Sequence, residues 1–182
     1  MPETDQKIIA DLKDAGKRDL AFHVLVKTYQ ERLYWHIRKM AMNHDDADDI
    51  LQNTFMKVWR SIDSFREESS LYTWLYRIAT NESITFLNSK KKKNLMSLNE
   101  DNEYLMDNLM SDPYFDGDEI QIKLQKAILR LPEKQRIVFN LRYYEEMKYE
   151  EMAKVLETSV GALKASFHHA AKKVEKYIRN TD

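Results

Sequence analysis

Cysteine is absent from the 182 residues, which excludes a disulfide framework and cysteine-ligated zinc and suits a reducing compartment. Glycine and proline are scarce, three of each, so few turns punctuate the chain. Leu, Lys, Glu, Ala and Met abound instead, and an all-helical chain is the economical reading. No sustained period-two alternation points to strands. No segment is apolar for long enough to span a bilayer, and the charged start, MPETDQKIIADLKDAGKRD, lacks the apolar core of a signal peptide; a cytoplasmic protein is expected. Reactive constellations are missing too: there is no glycine-rich phosphate loop, no HExxH metal spacing, no Cys nucleophile and no persuasive triad. The paired carboxylates of HDDADD and EEMKYEEM fall on polar helix faces, the ordinary place for them. No catalytic residue, cofactor or metal is therefore expected.

What is present is a charge pattern hidden by its average. The 29 bases and 30 acids leave a formal net charge of −1, unpromising for a nucleic-acid binder until the chain is divided. Residues 1–89 are roughly balanced. Lys90 to Lys93 form a KKKK run, and from Asn94 to Gln121 there are eight acids and no base. From Ile122 onward, thirteen bases face eight acids, the sign expected of a surface that meets phosphate. The acidic stretch scatters Asn, Asp, Pro and Gly among few apolar residues and has no durable helical period, so it reads as a linker. Two small helical domains result, 1–89 and 122–182, joined by a basic-then-acidic linker at 90–121. No internal repeat is found.

The second domain divides into about four helices. Pro132 starts a helix more readily than it continues one, so a break falls near Leu131 and a new helix runs through Ile137, Val138 and Leu141. A short helix with Met152, Ala153 and Leu156 on one face follows, then a brief turn in which Ser159 can cap the next helix. In that last helix Val160, Leu163, Phe167, Ala170 or Ala171, Val174 and Ile178 form the inward stripe. At 100° per residue, Ala162, Ala165, Ser166, His169, Lys172 and Lys173 point outward, with Gly161, Lys164 and His168 at the flanks. Small residues come first and bases later, so the leading turn can approach a major groove closely while lysines meet phosphates. Short helix, turn and second helix match a helix-turn-helix; a solvated helix hairpin in any bundle has the same pattern. Adjacent His168 and His169 point about 100° apart and do not easily chelate one ion.

LPEKQRIVFNLRYYEEMKYEEMAKVLETSVGALKASFHHAAKKVEKYI resembles the promoter-binding region four of bacterial sigma factors. DDADDILQNTFMKVWRSIDSFREESSLYTWLYRIATNESITFL resembles region two of the same family, above all at LYTWLYRIATN, Leu71 to Asn81. Two motifs in the right order with only a short linker between them are similar to the compact extracytoplasmic-function (ECF) group of sigma-70 factors. The resemblance implies a protein that binds core RNA polymerase, directs it to specific promoters and promotes DNA opening for transcription initiation. The implied partners are the polymerase beta and beta-prime subunits, promoter DNA, and an anti-sigma factor that in many relatives is membrane-bound and covers both lobes; no motif reports this last partner. A monomer is expected when free.

Region two agrees physically. Phe22, Leu25, Val26, Tyr29 and Leu33 give one apolar stripe, and Ile50, Leu51, Phe55, Val58 and Trp59 the next. Asp45, Asp46, Asp48 and Asp49 cluster where the start of the second helix favours negative charge, which is by itself a sufficient reason for them. The resemblance implies that Asp48, Asp49, Gln52 and Asn53 meet core polymerase, with Asn53 standing where many relatives carry an acid. On the next helix Leu71, Trp74, Leu75 and Ile78 share one side, and Tyr72, Thr73, Tyr76, Arg77 and Thr80 lie toward the other, an aromatic and basic outer face suited to single-stranded bases. By resemblance, this helix and the preceding loop FREESS read the minus-ten element, with Phe65, Arg66, Glu67, Ser69, Tyr72, Tyr76, Arg77 and Asn81 as the expected residues. Thr80 stands where relatives often have Arg, and Lys90–Lys93 are expected to supply the missing charge. The minus-thirty-five element falls to Gly161, Lys164, Ala165, Ser166, His168, His169, Lys172 and Lys173, with Ser166 and His169 standing where Arg is common. Lys148 replaces the usual Ser or Thr cap of the first motif helix, which is expected to fray slightly. The acidic linker reads either as a solubilising tether or, by resemblance, as a nucleic-acid mimic in the polymerase RNA-exit channel. The rival to the whole reading is a self-standing operator-binding regulator, which normally pairs on half-sites; no helix here offers an uncommitted dimerisation face. A structural adaptor without DNA dependence is third.

Overall fold

A computed structural model describes residues 3–93 and 119–180. Among these residues there are eight α-helices, one 3-10 turn and no strand. The helices are α1 (Glu3–Lys13), α2 (Arg18–Ala41), α3 (His44–Ser61), α4 (Leu71–Lys93), α5 (Glu119–Leu129), α6 (Glu133–Tyr143), α7 (Tyr149–Leu156) and α8 (Val160–Asn180), and the 3-10 turn, Ile62–Ser64, follows α3.

Local chemistry sets most helix starts. Asn43 caps α3 by accepting the Asp46 N–H at 3.0 Å, and Asp45 and Asp46 sit in its first turn, where the helix dipole favours them. Ser70 caps α4, its Oγ accepting from Thr73 N–H at 3.1 Å. Pro132 stands at the entry of α6. Ser159 Oγ accepts from Ala162 N–H at 3.3 Å and opens α8. Lys148 carries no acceptor and gives α7 no side-chain cap. The Glu151 carboxylate instead reaches back to the Lys148 N–H at 3.4 Å, half of a capping box.

Helices α2, α3 and α4 pack together as the first lobe, with Leu25, Leu33, Ile37, Ile50, Val58, Leu71 and Leu75 buried among them. Helix α1 was not foreseen. Its Ile8, Ile9 and Leu12 are buried against this bundle, and Tyr29 donates to Asp5 at 2.7 Å. Burial and the Asp5 carboxylate push the Tyr29 phenol pKa up, keeping it a donor. Helix α4 also runs past residue 89, the expected end of the domain, because Lys90–Lys93 are good helix formers with no breaker before them. Lys90 Nζ then bonds both oxygens of buried Asp46, at 2.8 and 2.6 Å. Lys90 is thus paired within the fold, while the side chains of the other three lysines of the run, expected together with it to substitute for a missing Arg at Thr80, lie outside the described residues. The acidic residues 94–118 lie outside the described residues.

In the second lobe Ile128, Leu131, Phe139, Ala170 and Val174 form a small core under α5, α6 and α8. Ile137, Val138, Leu141, Met147, Met152, Val155 and Leu163 join the core of the first lobe instead. The two lobes therefore share one apolar cluster, with α7 laid along α4.

Candidate nucleic-acid interface

The helix-turn-helix is formed by α7, the turn 157–159, and α8. Glu157 ends α7 in the left-handed region at φ 50°, a conformation that costs a side-chain-bearing residue energy and is usually given to glycine. Leu163, Ala170 and Val174 hold α8 to the lobe. Gly161, Lys164, Ala165, His168, His169, Lys172 and Lys173 are exposed, and Ser166 is half-buried. A Cβ built on Gly161 would meet nothing within 4 Å, so this end of the helix stands clear of its own protein. Lys164 Nζ lies 5.7 Å from the Tyr149 ring centroid, and Lys173 Nζ donates to Gln135 Oε1 at 2.9 Å. Small leading residues, clear space and trailing cations are what entry into a major groove requires.

On α3, Asp45, Asp49, Gln52, Asn53 and Met56 are exposed at three- and four-residue spacing, and Asp48 is half-buried beside them. His44 Nε2 lies 3.5 Å from Asp48 Oδ2. The four residues expected to meet polymerase thus lie together on one open face.

The minus-ten set is not presented as expected. Arg66, Glu67, Arg77 and Asn81 are exposed and Ser69 is half-buried, but Phe65 packs into the core, its ring 5.0 Å from Trp74. The outer face of α4 is not outer in this arrangement, because α7 and the turn before it cover it. Tyr76 is fully buried, as are Thr73 and Thr80. Glu145 stands at the centre of this contact. Its carboxylate accepts from Tyr76 OH at 2.7 Å and from Lys39 Nζ at 3.1 Å. Thr73 Oγ1 donates to Glu151 at 3.3 Å, Lys154 Nζ donates to the Glu68 carbonyl at 2.6 Å, and Arg77 pairs with Glu157.

Burial, then Glu145, raises the pKa of the Tyr76 phenol, which therefore remains a donor. Burial also raises the Tyr72 phenol, whose ring centroid lies 4.3 Å from that of Tyr76. Beside them His36 is pushed down to about 4, chiefly by burial, with Glu145 opposing and Lys39 reinforcing the shift. Its Nε2 sits 2.9 Å from Thr80 Oγ1. Burial lifts the nearby Tyr144 phenol to about 12, and Lys39 Nζ lies 4.5 Å from that ring's centroid.

Sequence reasoning missed Lys39, Glu145, Glu151 and Glu157 as a group. Three acids in a basic lobe are the only local signal, and their partners lie 69 to 106 positions away along the chain. Among the described residues no group of three His, Asp or Glu side chains is placed to hold a metal ion, and no helix is long and apolar enough to cross a membrane.

Comparison with known proteins matches these two lobes separately. The family model for Sigma-70 region 2 matches residues 25–93, and that for Sigma-70 region 4 matches residues 121–174. Among curated proteins, the RNA polymerase sigma-H factor of Pseudomonas aeruginosa is 30% identical over 97% of this chain and 95% of its own length. The ECF RNA polymerase sigma-E factor of Haemophilus influenzae is 30% identical over 97% and 96%, and the ECF factor SigW of Bacillus subtilis 30% over 91% and 92%. Among solved structures, CnrH in complex with the cytosolic domain of CnrY superposes with a TM-score of 0.71 at 21% identity, over 99% of this chain and 100% of that one. RpoE from Bartonella quintana, in complex with the anti-sigma factor NepR, gives 0.68 at 21%, over 87% and 96%. With both sigma regions in order on one chain, and full-length relatives at this identity, the protein belongs to the ECF group of the sigma-70 family of RNA polymerase sigma factors.

Proposed function

We propose that this chain is a non-catalytic initiation factor of the cytoplasm that binds core RNA polymerase, directs it to particular promoters and promotes opening of the duplex. The observation that carries the reading is the pairing of a region-two bundle with a helix-turn-helix whose α8 stands clear of the protein at Gly161. The exposed face of α3, with Asp48, Asp49, Gln52 and Asn53, serves polymerase docking. The outward residues of α8 serve the minus-thirty-five element, and the 65–70 loop with α4 serves the minus-ten element. Minus-ten bases reach Tyr72 and Tyr76 only after α7 leaves α4, so the lobes separate on the way to an open complex. Phe65 acts from within the core, holding the loop to Trp74 rather than touching DNA.

The partner that keeps the lobes together in the cell is, on this reading, an anti-sigma factor, the kind of protein with which the similar RpoE was solved. Run-off transcription from a library of promoter fragments tests the proposal: transcripts from a defined subset should require core polymerase and this chain together. Fragment-specific binding by the chain alone, with no transcription, would assign it to operator-binding regulators.

A further inference from the structure

The second lobe sets a polar cluster against the turn of α2 that carries His36 and Lys39. From the α6–α7 turn, Glu145 places one carboxylate oxygen 3.1 Å from Lys39 Nζ and the other 2.7 Å from Tyr76 OH. Tyr144 of the same turn meets the Lys39 ammonium with its ring, and Asn140 of α6 donates to the Lys39 carbonyl at 3.4 Å. Tyr76 packs on His36 with ring centroids 4.8 Å apart. His36 is fully buried. Its Nε2 meets Thr80 Oγ1 at 2.9 Å, and its Nδ1 has no hydrogen-bond partner among the described residues. Whichever tautomer the neutral ring adopts, an imidazolium carries an N–H at Nδ1 with no acceptor, and a buried donor left unsatisfied is strongly disfavoured.

The titratable groups facing the ring are Tyr76 of α4, Lys39 of α2 itself and Glu145 of the α6–α7 turn. Glu151 of α7 is turned to Thr73, Arg136 of α6 to the Leu129 carbonyl and Asp46 of α3 to Lys90. Tyr76 stays a neutral phenol, Lys39 opposes a second cation, and both oxygens of Glu145 already take a donor. The closed pair of lobes therefore holds the ring neutral. We infer that His36 is a proton-operated release between the two lobes: its imidazolium is compatible only with the separated form, so acidification frees the minus-ten face of α4. Separation withdraws Glu145, Tyr144 and Asn140 from α2 and lets water reach Nδ1. The inference rests on the proposed reading that the lobes part before that face meets DNA. Burial holds the closed ring at about 4 against an ordinary 6.5, so the separation constant grows as pH falls through 6.5 and levels off near 4. Between pH 7 and 5 the growth is about twentyfold.

The test uses the lack of native cysteine. Thr73 is buried under α7, its Oγ1 3.3 Å from Glu151, so Thr73→Cys in the full chain reacts with an aromatic disulfide reagent only when the lobes part. Dividing its rate by that of Arg60→Cys, an exposed position, cancels the pH dependence of the reagent and of the thiol. The ratio should rise about twentyfold from pH 7 to pH 5. It should stay flat when His36→Gln or His36→Leu is added, and Val58→Cys, buried inside the first lobe, should stay unreactive at both pH values. Core polymerase added at pH 7 should by itself raise the Thr73→Cys rate. A rate raised by core polymerase but a ratio unmoved by pH would overturn the proton release and leave lobe separation standing. No response to either would overturn both. A pH response that survives both His36 variants would assign the proton to another group, and one shared by Val58→Cys would assign the opening to the first lobe itself; each would overturn the inference.

Discussion

Glu145 shows how one side chain can hold two lobes. Its side chain is 9% exposed and it accepts bonds from both Tyr76 and Lys39, so its desolvation is matched by two donors. Removing it strands a buried phenol and an ammonium together. Glu145→Ala is therefore expected to lower stability by about 3 kcal/mol, measured by chemical denaturation, whereas Tyr76→Phe, which leaves Lys39 paired, should lose less.

His36 adds a pH dependence at the same place. Burial lowers its folded pKa from 6.5 to about 4, so between those values the unfolded chain binds more protons than the folded one. The associated stability is fully present above about pH 6.5 and drains away as pH falls toward 4. It amounts to about 3 kcal/mol at one unit of pH per 1.36 kcal/mol. Denaturation series at pH 7 and 4.5 should show about 2 kcal/mol of that loss, and His36→Gln should largely remove its pH dependence.

At the scale of elements, the turn between α7 and α8 combines a backbone demand with a charge. The left-handed φ of Glu157 favours glycine, while its carboxylate pairs with Arg77. That pair is exposed and contributes little to stability. Comparing Glu157→Ala with Glu157→Gly, which both delete the pair, isolates the backbone term: the glycine variant should be the more stable by about 1 kcal/mol in thermal or chemical unfolding.

Helices were the legible part of this chain. The stripe from Leu163 to Val174 and the Ser159 cap follow from spacing and side-chain chemistry alone. Helix α1 escaped because its three buried apolar residues, Ile8, Ile9 and Leu12, are set among charges and gain meaning only against α2. The continuation of α4 through Lys93 escaped for a similar reason: a lysine run reads as a charged surface segment until Asp46 is found beside Lys90.

For the whole molecule, the packing of one lobe on the other was not legible, and the site depends on it. On an isolated α4 the polar side with Thr73, Tyr76 and Thr80 would face solvent. These three become buried because α2 and α7 close over them. Contacts between segments about 70 or more positions apart leave no local period in a sequence. The faces of α3 and α8 were legible because each is open within its own lobe. The absence of cysteine allows a clean distance measurement: with Arg60→Cys and Glu175→Cys labelled as a pair, one on each lobe, the free chain should give a single narrow distance distribution, and addition of core polymerase should shift it.

The central claim is that this chain and core polymerase together open promoter DNA. Permanganate reactivity of unpaired thymines on a promoter-fragment library, with each component alone and with both, tests it most directly. Reactivity confined to reactions containing both, on a shared set of sequences, is the predicted result. Fragment-specific binding by this chain with no unpaired thymines under any combination would contradict it.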